Sequence, residues 1–290
     1  MLMRLNQEYF PLLIILFIKL KIIKTLEDFH KTRSAYGQIS FIPTMGNLHN
    51  GHLSLFNTAK KLNKPIFSSI YINPLQFNNK NDFTKYPKSL DEDIELLESQ
   101  DCECLFLPDE SILENLEIIK APSKADLLCG SHRPGHFDGV LTIVNKLFSI
   151  MKPSDAVFGL KDYQQYLLIK EFSQSRKLPI NIIGSKTIRE NNGLAMSSRN
   201  TLLSSDELQN ASEIYKSLLF IKNNANNLCK DIIDEVRKSL YKKGFEVDYV
   251  SVINSITLQE SLNHNNEEGY LVAAIAANIG TVRLIDNLFI

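Results

Sequence analysis

Two histidines, His49 and His52, lie three residues apart in the stretch PTMGNLHNGHLSL, between an apolar run and a stretch with helical spacing. In the first turn of a helix both side chains can face the same side, and the free N–H groups and positive dipole end there favour a phosphate. Gly51 between them lets a ligand approach the backbone closely. The stretch therefore predicts a nucleotide site with two imidazole donors. A turn with two surface histidines is the alternative, and metal binding is disfavoured because no third ligand lies nearby.

A second stretch, GLAMSSRN from Gly193 to Asn200, combines two hydroxyls with a guanidinium. Ser197 and Ser198 can donate hydrogen bonds, and Arg199 can bind two phosphate oxygens at once. The stretch predicts a second phosphate-binding loop. The alternative is a polar turn that enters a helix.

A third stretch, VFGLKDYQQ, places Lys161 and Asp162 just after a predicted strand that ends at Gly159. A lysine there can neutralise charge that develops on phosphoryl oxygens during a displacement. The alternative is a solvated ion pair in which Asp162 caps the next helix.

Further polar groups occur in YINPLQF and in SHRPGHFDGV. The amides of Asn73 and Gln76 both donate and accept, which suits a substrate with hydroxyl and carboxylate groups. Arg133 and His136 precede an apolar helix, and the arginine could bind a carboxylate.

The elements that must position these residues alternate between strands and helices as far as about Gly193. Strands are predicted at 38–43, 65–72, 102–108, 156–159 and 179–185, and helices at 52–63, 89–100, 139–151 and 162–177. This alternation is typical of an α/β fold with a parallel sheet, whose ligands bind at the carboxyl ends of the strands. Two helices (205–223 and 230–243) and two antiparallel strands (245–253 and 269–280) then predict a small α+β unit, with a boundary near 188–192.

Composition and charge exclude several classes of function. The 290 residues carry a formal net charge of -1 and no basic block, so binding to nucleic acid is not expected. The four cysteines form no C-x-x-C pair and indicate neither a zinc site nor a disulfide framework. A reducing, cytoplasmic compartment is the simplest expectation.

Residues 1–19 are expected to be an extension outside the catalytic fold. Their apolar run, Phe10–Ile18, is too short to span a bilayer as a helix, so no membrane association is expected. A signal peptide flanked by Arg4 is a minor alternative, because lysines follow at once and no small-residue cleavage site does. Deleting these residues is predicted to leave activity unchanged.

The two-histidine stretch resembles the HIGH-type signature of the nucleotidyl-transfer α/β superfamily. Together with NPLQF, SHRPGHFDGV, FGLKDYQQ, GLAMSSRN and the terminal RLIDN, it resembles the pantothenate synthetase (pantoate–β-alanine ligase) family from about Leu20 to the end of the chain. The resemblance implies a Rossmann-like catalytic domain over 20–188, a smaller C-terminal α+β lid domain over 189–290, and a homodimer. It also implies that ATP activates pantoate as an acyl adenylate, which β-alanine then attacks.

The resemblance also implies roles for individual residues. His52 would be the catalytic proton donor, with His49 beside it and Lys161 on the phosphates. Gln76 would bind pantoate and β-alanine, and Gln165 would bind pantoate. Mg²⁺ is expected to arrive with ATP, because no dedicated metal ligands are visible. Supporting roles fall to Asn73, Arg133 and His136, and the ATP site would comprise Met45, Gly46, Asn47, Leu48, His49, Asn50, Gly51, His52, Gly159, Leu160, Lys161, Asp162, Ile188, Met196, Ser197, Ser198 and Arg199.

One residue departs from the family: position 160 is Leu where the family usually carries Glu. This change is expected to alter the electrostatics beside Lys161 without changing the class of reaction. Three alternatives remain: a nucleotidyl transferase that stops at adenylylation, a tRNA-charging enzyme, and a nucleotide-binding regulator that has lost catalysis. A tRNA-charging enzyme is disfavoured because the chain lacks an anticodon-binding region and a basic surface.

Overall fold

The computed structural model describes residues 20–262 and 269–290. The expected extension, residues 1–19, lies outside the described residues. Within them, no helix is long and apolar enough to cross a membrane.

A six-stranded parallel sheet forms the larger part of the described chain, with the strand order β1-β4-β3-β2-β5-β6. The five predicted strands are confirmed to within two residues at each end, and a short strand is added at the edge. The strands are β1 (Lys21–Ile23), β2 (Ser40–Thr44), β3 (Ile66–Ile70), β4 (Cys102–Phe106), β5 (Asp155–Gly159) and β6 (Asn181–Ser185).

Helices cover both faces of this sheet, as apolar strands in a parallel sheet require. The helices are α1 (Leu26–Arg33), α2 (Asn50–Lys60), α3 (Lys80–Thr84), α4 (Leu90–Ser99), α5 (Cys129–His132), α6 (His136–Met151) and α7 (Tyr163–Ser175). In β2, Phe41 belongs to the core cluster that includes α6, and Ile42 to the cluster that includes α2. The two central strands are therefore buried between helical layers.

The strand order reverses at β2 and β5, which are hydrogen-bonded neighbours. From β2 the chain continues to β3 and β4 on one side, and from β5 it continues to β6 on the other. Their carboxyl ends therefore border a crevice at a topological switch point, the usual ligand site of such sheets.

The C-terminal part is an antiparallel sheet of three strands packed against helices. Its elements are α8 (Ser205–Ala211), α9 (Glu213–Asn223), α10 (Lys230–Lys242), β7 (Phe245–Asn254), β8 (Leu271–Ile279) and β9 (Val282–Phe289). Apolar residues of α9 and α10 form one core cluster with these strands. The predicted class, α/β with a smaller α+β unit, is confirmed.

Two details of this part differ from the sequence-based expectation. The single helix expected over 205–223 is divided at Ser212, whose backbone N–H bonds to the carbonyl of Asn210 and so leaves the i to i−4 pattern of an α-helix. A third strand, β9, was not expected. It pairs with β8 through a tight connection at Gly280, where φ is 54°.

Candidate functional site

A cavity of about 240 Å³ lies at the carboxyl ends of β2 and β5. It brings together side chains from all five sequence stretches that were expected to carry chemistry. The expected residues that line it are Met45, His49, Gly51, His52, Asn73, Gln76, Arg133, His136, Gly159, Lys161, Asp162, Gln165, Ile188, Met196, Ser197, Ser198 and Arg199.

The two histidines occupy the first turn of α2, where His49 is the N-cap. Nδ1 of His49 accepts a hydrogen bond from the N–H of Gly51 at 3.1 Å, and Nδ1 of His52 accepts from the N–H of His49 at 3.3 Å. Because a backbone N–H can only donate, the proton of each neutral ring must lie on Nε2. A Cβ at Gly51 would meet the His49 ring at 2.7 Å, so glycine is required between them.

Both imidazoles are neutral at pH 7. Burial, reinforced by the positive charge of Lys161, lowers the pKa of His49 to about 4. Burial, His49 and Lys161 together lower the pKa of His52 to about 3. Each ring therefore offers an Nε2–H as a hydrogen-bond donor without carrying a charge.

The loop that leads into α2 is held by Asp93, a buried residue of α4. Its carboxylate accepts hydrogen bonds from the N–H groups of Asn47 at 2.8 Å and Leu48 at 2.7 Å, and from the hydroxyl of Ser89 at 3.1 Å. Gly46 adopts φ 80°, and a Cβ there would lie 2.9 Å from Asp93. Asp93 thus shapes the loop before the histidines, a role that the sequence analysis did not anticipate.

The second loop, Ser197–Arg199, packs against the first. The hydroxyl of Ser198 donates to the carbonyl of Asn47 at 3.0 Å, so it is already used within the protein. Arg199 pairs with Asp82 of α3, with Nη2 to Oδ2 at 3.0 Å, and its guanidinium lies 5.5 Å from the ring centre of Tyr86. The arginine expected on phosphate is therefore held by a carboxylate in this structure.

Lys161 and Asp162 lie in a short 3-10 turn between β5 and α7. The Lys161 side chain is 18% exposed and its Nζ lies 4.0 Å from Oδ1 of Asp162. Asp162 occupies the N-cap position of α7 but makes no side-chain capping bond. The ion pair of the alternative interpretation is therefore present and Asp162 lies at the N-cap position, but the side-chain capping bond is absent. Lys161 is also a cation that lines the cavity.

The amide of Gln76 is held in the cavity by its neighbours. Its Oε1 accepts from Nδ2 of Asn73 at 3.0 Å, and Asn73 also donates to the carbonyl of Gly139 on α6 at 3.0 Å. A Cβ at Gly139 would lie 2.2 Å from the carbonyl oxygen of Leu75, so glycine lets this segment sit directly on α6.

His136 and Arg133 form a second support for Gln76. Nδ1 of His136 donates to the Gln76 carbonyl at 2.7 Å, and Nε2 accepts from Nη1 of Arg133 at 3.1 Å. Arg133 also donates to the Gln76 carbonyl at 3.0 Å. Burial lowers the pKa of His136 to about 3, so this imidazole is neutral and both of its nitrogens are used.

Some expected residues do not line the cavity: Gly46, Asn47, Leu48, Asn50 and Leu160. Gly46 and Asn47 shape the loop, Leu48 is buried in a core cluster, and Asn50 is exposed at the start of α2. The side chain of Leu160 packs on Gly184 of β6, where an added Cβ would lie 2.5 Å from Cδ2 of the leucine.

Other lining residues were not anticipated: Tyr71, Tyr86, Lys186 and Thr187. Tyr71 directly follows β3, and Lys186 and Thr187 directly follow β6. The rule that ligands bind at the carboxyl ends of parallel strands could have identified these three.

No group of three or more His, Cys, Asp or Glu side chains that could hold a metal ion occurs in the described part of the chain. Among the described residues that line the cavity, Asp162 is the only one with an acidic side chain. A single carboxylate fits Mg²⁺ that is held mainly by nucleotide phosphates and water.

The family profile described as Pantoate-beta-alanine ligase matches residues 20–289. The chain is 39% identical over 276 residues to the pantothenate synthetase of Idiomarina loihiensis, covering 93% of this chain and 97% of that protein. It is 43% identical over 256 residues to the pantothenate synthetase of Acinetobacter baylyi, covering 86% of this chain and 90% of that protein.

Two solved structures are also similar. The pantothenate synthetase of Thermus thermophilus superposes with a TM-score of 0.84 at 32% identity, covering 92% of this chain and 98% of that one. The pantoate-beta-alanine ligase of Francisella tularensis, complexed with beta-gamma ATP and beta-alanine, superposes with a TM-score of 0.79 at 36% identity, covering 93% and 97%.

Proposed function

The chain belongs to the pantoate–β-alanine ligase family, and we propose how its own residues carry out the reaction of that family, the ATP-dependent condensation of pantoate with β-alanine. The pantoate carboxylate attacks the α-phosphorus of ATP, forming pantoyl adenylate and releasing pyrophosphate. The amine of β-alanine then attacks the acyl carbon, giving pantothenate and AMP. Because a carboxylate is ionised at neutral pH, the first step needs no general base; it needs positioning and stabilisation of charge.

The observation that best supports these assignments is the convergence of two neutral imidazoles and Lys161 on one cavity at the start of α2. His49 and His52 would each donate an Nε2–H hydrogen bond to phosphate oxygens. Lys161 would neutralise charge that builds on the phosphates as pyrophosphate leaves. In this proposal His52 acts as a hydrogen-bond donor and not as an imidazolium acid.

Arg199 and Ser197 would complete the phosphate site from the second loop. Arg199 must exchange Asp82 for a phosphate, which its partly exposed ion pair permits. Ser198 would act differently, because its hydroxyl holds the first loop. Met45, Gly51, Gly159, Asp162, Ile188 and Met196 would line the nucleotide site.

Gln76 and Gln165 would bind pantoate, and Gln76 would also contact β-alanine. Both amides line the cavity. Asn73, Arg133 and His136 would act through Gln76, since their hydrogen bonds run to its side chain or carbonyl. Mg²⁺ bound with ATP would supply further charge neutralisation, with Asp162 as the nearby protein carboxylate.

The proposal extends to organisation of the whole protein. Residues 20–188 would form the catalytic domain, and 189–290 a lid that keeps water from the acyl adenylate. The enzyme would be a cytoplasmic homodimer, and its four free cysteines are compatible with a reducing compartment. Light scattering of the purified protein would test the dimer.

The decisive experiment is pantoate-dependent exchange of pyrophosphate into ATP, with His52→Ala as the variant and exposed His30→Ala as its control. We expect exchange that requires pantoate and falls about a hundredfold or more in His52→Ala, the usual cost of one such donor. Adding β-alanine should then yield pantothenate and AMP.

Other outcomes would identify the alternatives. Exchange without any amine-dependent product would favour a nucleotidyl transferase that stops at the adenylate. ATP binding without exchange in the unmodified enzyme would favour a nucleotide-binding regulator.

A further inference from the structure

Asn287, near the end of β9, contacts the turn that carries Lys161. This asparagine is 7% exposed, and its Nδ2 donates to two consecutive carbonyls, those of Leu160 at 2.9 Å and Lys161 at 2.8 Å. Carbonyl oxygens can only accept, so both protons of one amide group are used on this turn. The residue belongs to the RLIDN motif, for which the catalytic roles above provide no function.

Asn287 is itself held firmly. Its N–H donates to Oδ1 of Asp286 at 2.8 Å, and its carbonyl accepts from Nη2 of Arg189 at 3.3 Å. Arg189 and Asp286 form a bidentate ion pair, with Nη2 to Oδ1 at 3.0 Å, and the Asp286 side chain is 2% exposed. The guanidinium of Arg189 also lies 3.9 Å from the ring centre of Tyr215 on α9. The backbone of β9 at this point is therefore anchored to the C-terminal part of the chain.

We infer that Asn287 is a positioning residue for the reaction: it fixes the backbone of the 160–162 turn so that the Lys161 ammonium reaches the phosphates. The inference rests on the role proposed for Lys161. The two hydrogen bonds hold the turn from the side of the C-terminal sheet, whereas β5 and α7 hold it only at its ends. The C-terminal part would therefore help to build the active site as well as cover it.

The expected size of the effect of Asn287→Ala follows from the steep dependence of phosphoryl-group chemistry on the position of the reacting groups. A displacement of about 1 Å at a reacting group can cost about a hundredfold in rate. Asn287→Ala removes both hydrogen bonds, so we expect the rate of pantoate-dependent pyrophosphate exchange to fall at least about tenfold. A purely structural role would lower stability but would not interact specifically with Lys161.

A double-mutant cycle on the exchange rate separates the two roles. The cycle compares the unmodified enzyme, Asn287→Ala, Lys161→Ala and the double variant. If Asn287 acts through Lys161, the Asn287→Ala substitution should cost less than about twofold once Lys161 has been removed. Additive losses, or full exchange in Asn287→Ala, would overturn the inference.

Controls keep the result interpretable. Asn278→Ala on β8 removes an asparagine of the same sheet that contacts Asp248 and not the turn, and it should exchange normally. The midpoint of thermal unfolding of every variant must lie well above the assay temperature. If Asn287→Ala does not fold, Asn287→Ser retains a single donor and enters the same cycle. Normal exchange in Lys161→Ala alone would instead refute the proposed role of Lys161, which is a separate failure.

Discussion

Asn47 and Ser198 each donate a side-chain hydrogen bond to the other's backbone carbonyl. Nδ2 of Asn47 lies 3.3 Å from the Ser198 oxygen, and Oγ of Ser198 lies 3.0 Å from the Asn47 oxygen. The two proposed phosphate loops, 151 residues apart in sequence, are therefore joined as one unit. These two hydrogen bonds hold the loops in contact within the protein itself.

Removing the Asn47 side chain should weaken ATP binding more than turnover. Asn47 adopts φ 50°, so Asn47→Gly keeps this backbone conformation while it deletes the side-chain hydrogen bond to the Ser198 carbonyl; the bond from Ser198 to the backbone carbonyl at position 47 remains. At about 1 kcal/mol per hydrogen bond, we expect KM for ATP to rise about fivefold to tenfold in steady-state assays. Asn47→Ala adds backbone strain and should be worse than the glycine variant. Equal KM values for Asn47→Gly and the unmodified enzyme would contradict this link between the loops.

Much of this site was predictable because the chemistry-bearing residues follow apolar strands directly. Asn73 comes three residues after β3, and Lys161 two residues after β5. In a parallel sheet those ends meet at one edge, so local periodicity was enough to place them together. Strand β9 was not predicted, although buried and half-buried residues alternate over its first four positions.

Other features arise from contacts that local sequence does not reveal. Asp93 lies among the acids of LDEDIELLES, and nothing there distinguishes it from Asp91 or Glu92. Its burial follows from the loop at Asn47 and Leu48 closing over α4. Likewise, a leucine at position 160 does not reveal that its side chain lies on Gly184 and away from the cavity lining.

Asp93→Asn should damage both stability and nucleotide binding. An amide has one acceptor oxygen and would place its NH₂ against a loop N–H, so one buried donor loses its partner. This costs about 1–3 kcal/mol, measurable as the free energy of unfolding in urea. We also expect KM for ATP to rise about tenfold. Asp91→Asn, an exposed residue of the same helix turn, is the matched control and should change neither quantity.

Asp82→Asn should tighten ATP binding. Asp82 competes with phosphate for Arg199, and it also places a negative charge beside the phosphate site. A partly exposed pair contributes about 0.2–1 kcal/mol, so KM for ATP should fall by up to about fivefold. The gain should shrink at high ionic strength because salt screens the competing pair. A rise in KM would instead mean that the ion pair orders Arg199 for binding.

Stability should fall as the pH drops below 6.5. His49, His52 and His136 have folded-state pKa values of about 4, 3 and 3, below the ordinary value of 6.5. The unfolded chain therefore binds more protons than the folded chain below pH 6.5. The stability that these neutral histidines contribute is fully present above pH 6.5 and is lost as the pH falls towards 3–4. Between pH 7 and pH 5 each of these histidines should lower the free energy of unfolding by about 2 kcal/mol.

Urea unfolding at both pH values measures this loss. In His136→Gln the free energy of unfolding should fall between pH 7 and pH 5 by about 2 kcal/mol less than in the unmodified protein, whatever the effect of the substitution on stability at pH 7. Exposed His30→Gln should leave the pH dependence unchanged. An identical pH dependence in His136→Gln would show that this imidazole is not buried in the neutral form.

Leu160→Glu, which introduces the residue that the family resemblance leads us to expect at this position, should leave catalysis nearly unchanged. The Leu160 side chain contacts Gly184 and does not line the cavity, and its carbonyl, which Asn287 binds, is retained by any substitution. Two unit charges roughly 8 Å apart in water interact by about 0.5 kcal/mol, so a carboxylate here should change kcat and KM for ATP by no more than about twofold. Steady-state kinetics at low and moderate salt would measure both constants. A tenfold change in either would mean that a glutamate at position 160 turns into the cavity and acts on Lys161 directly.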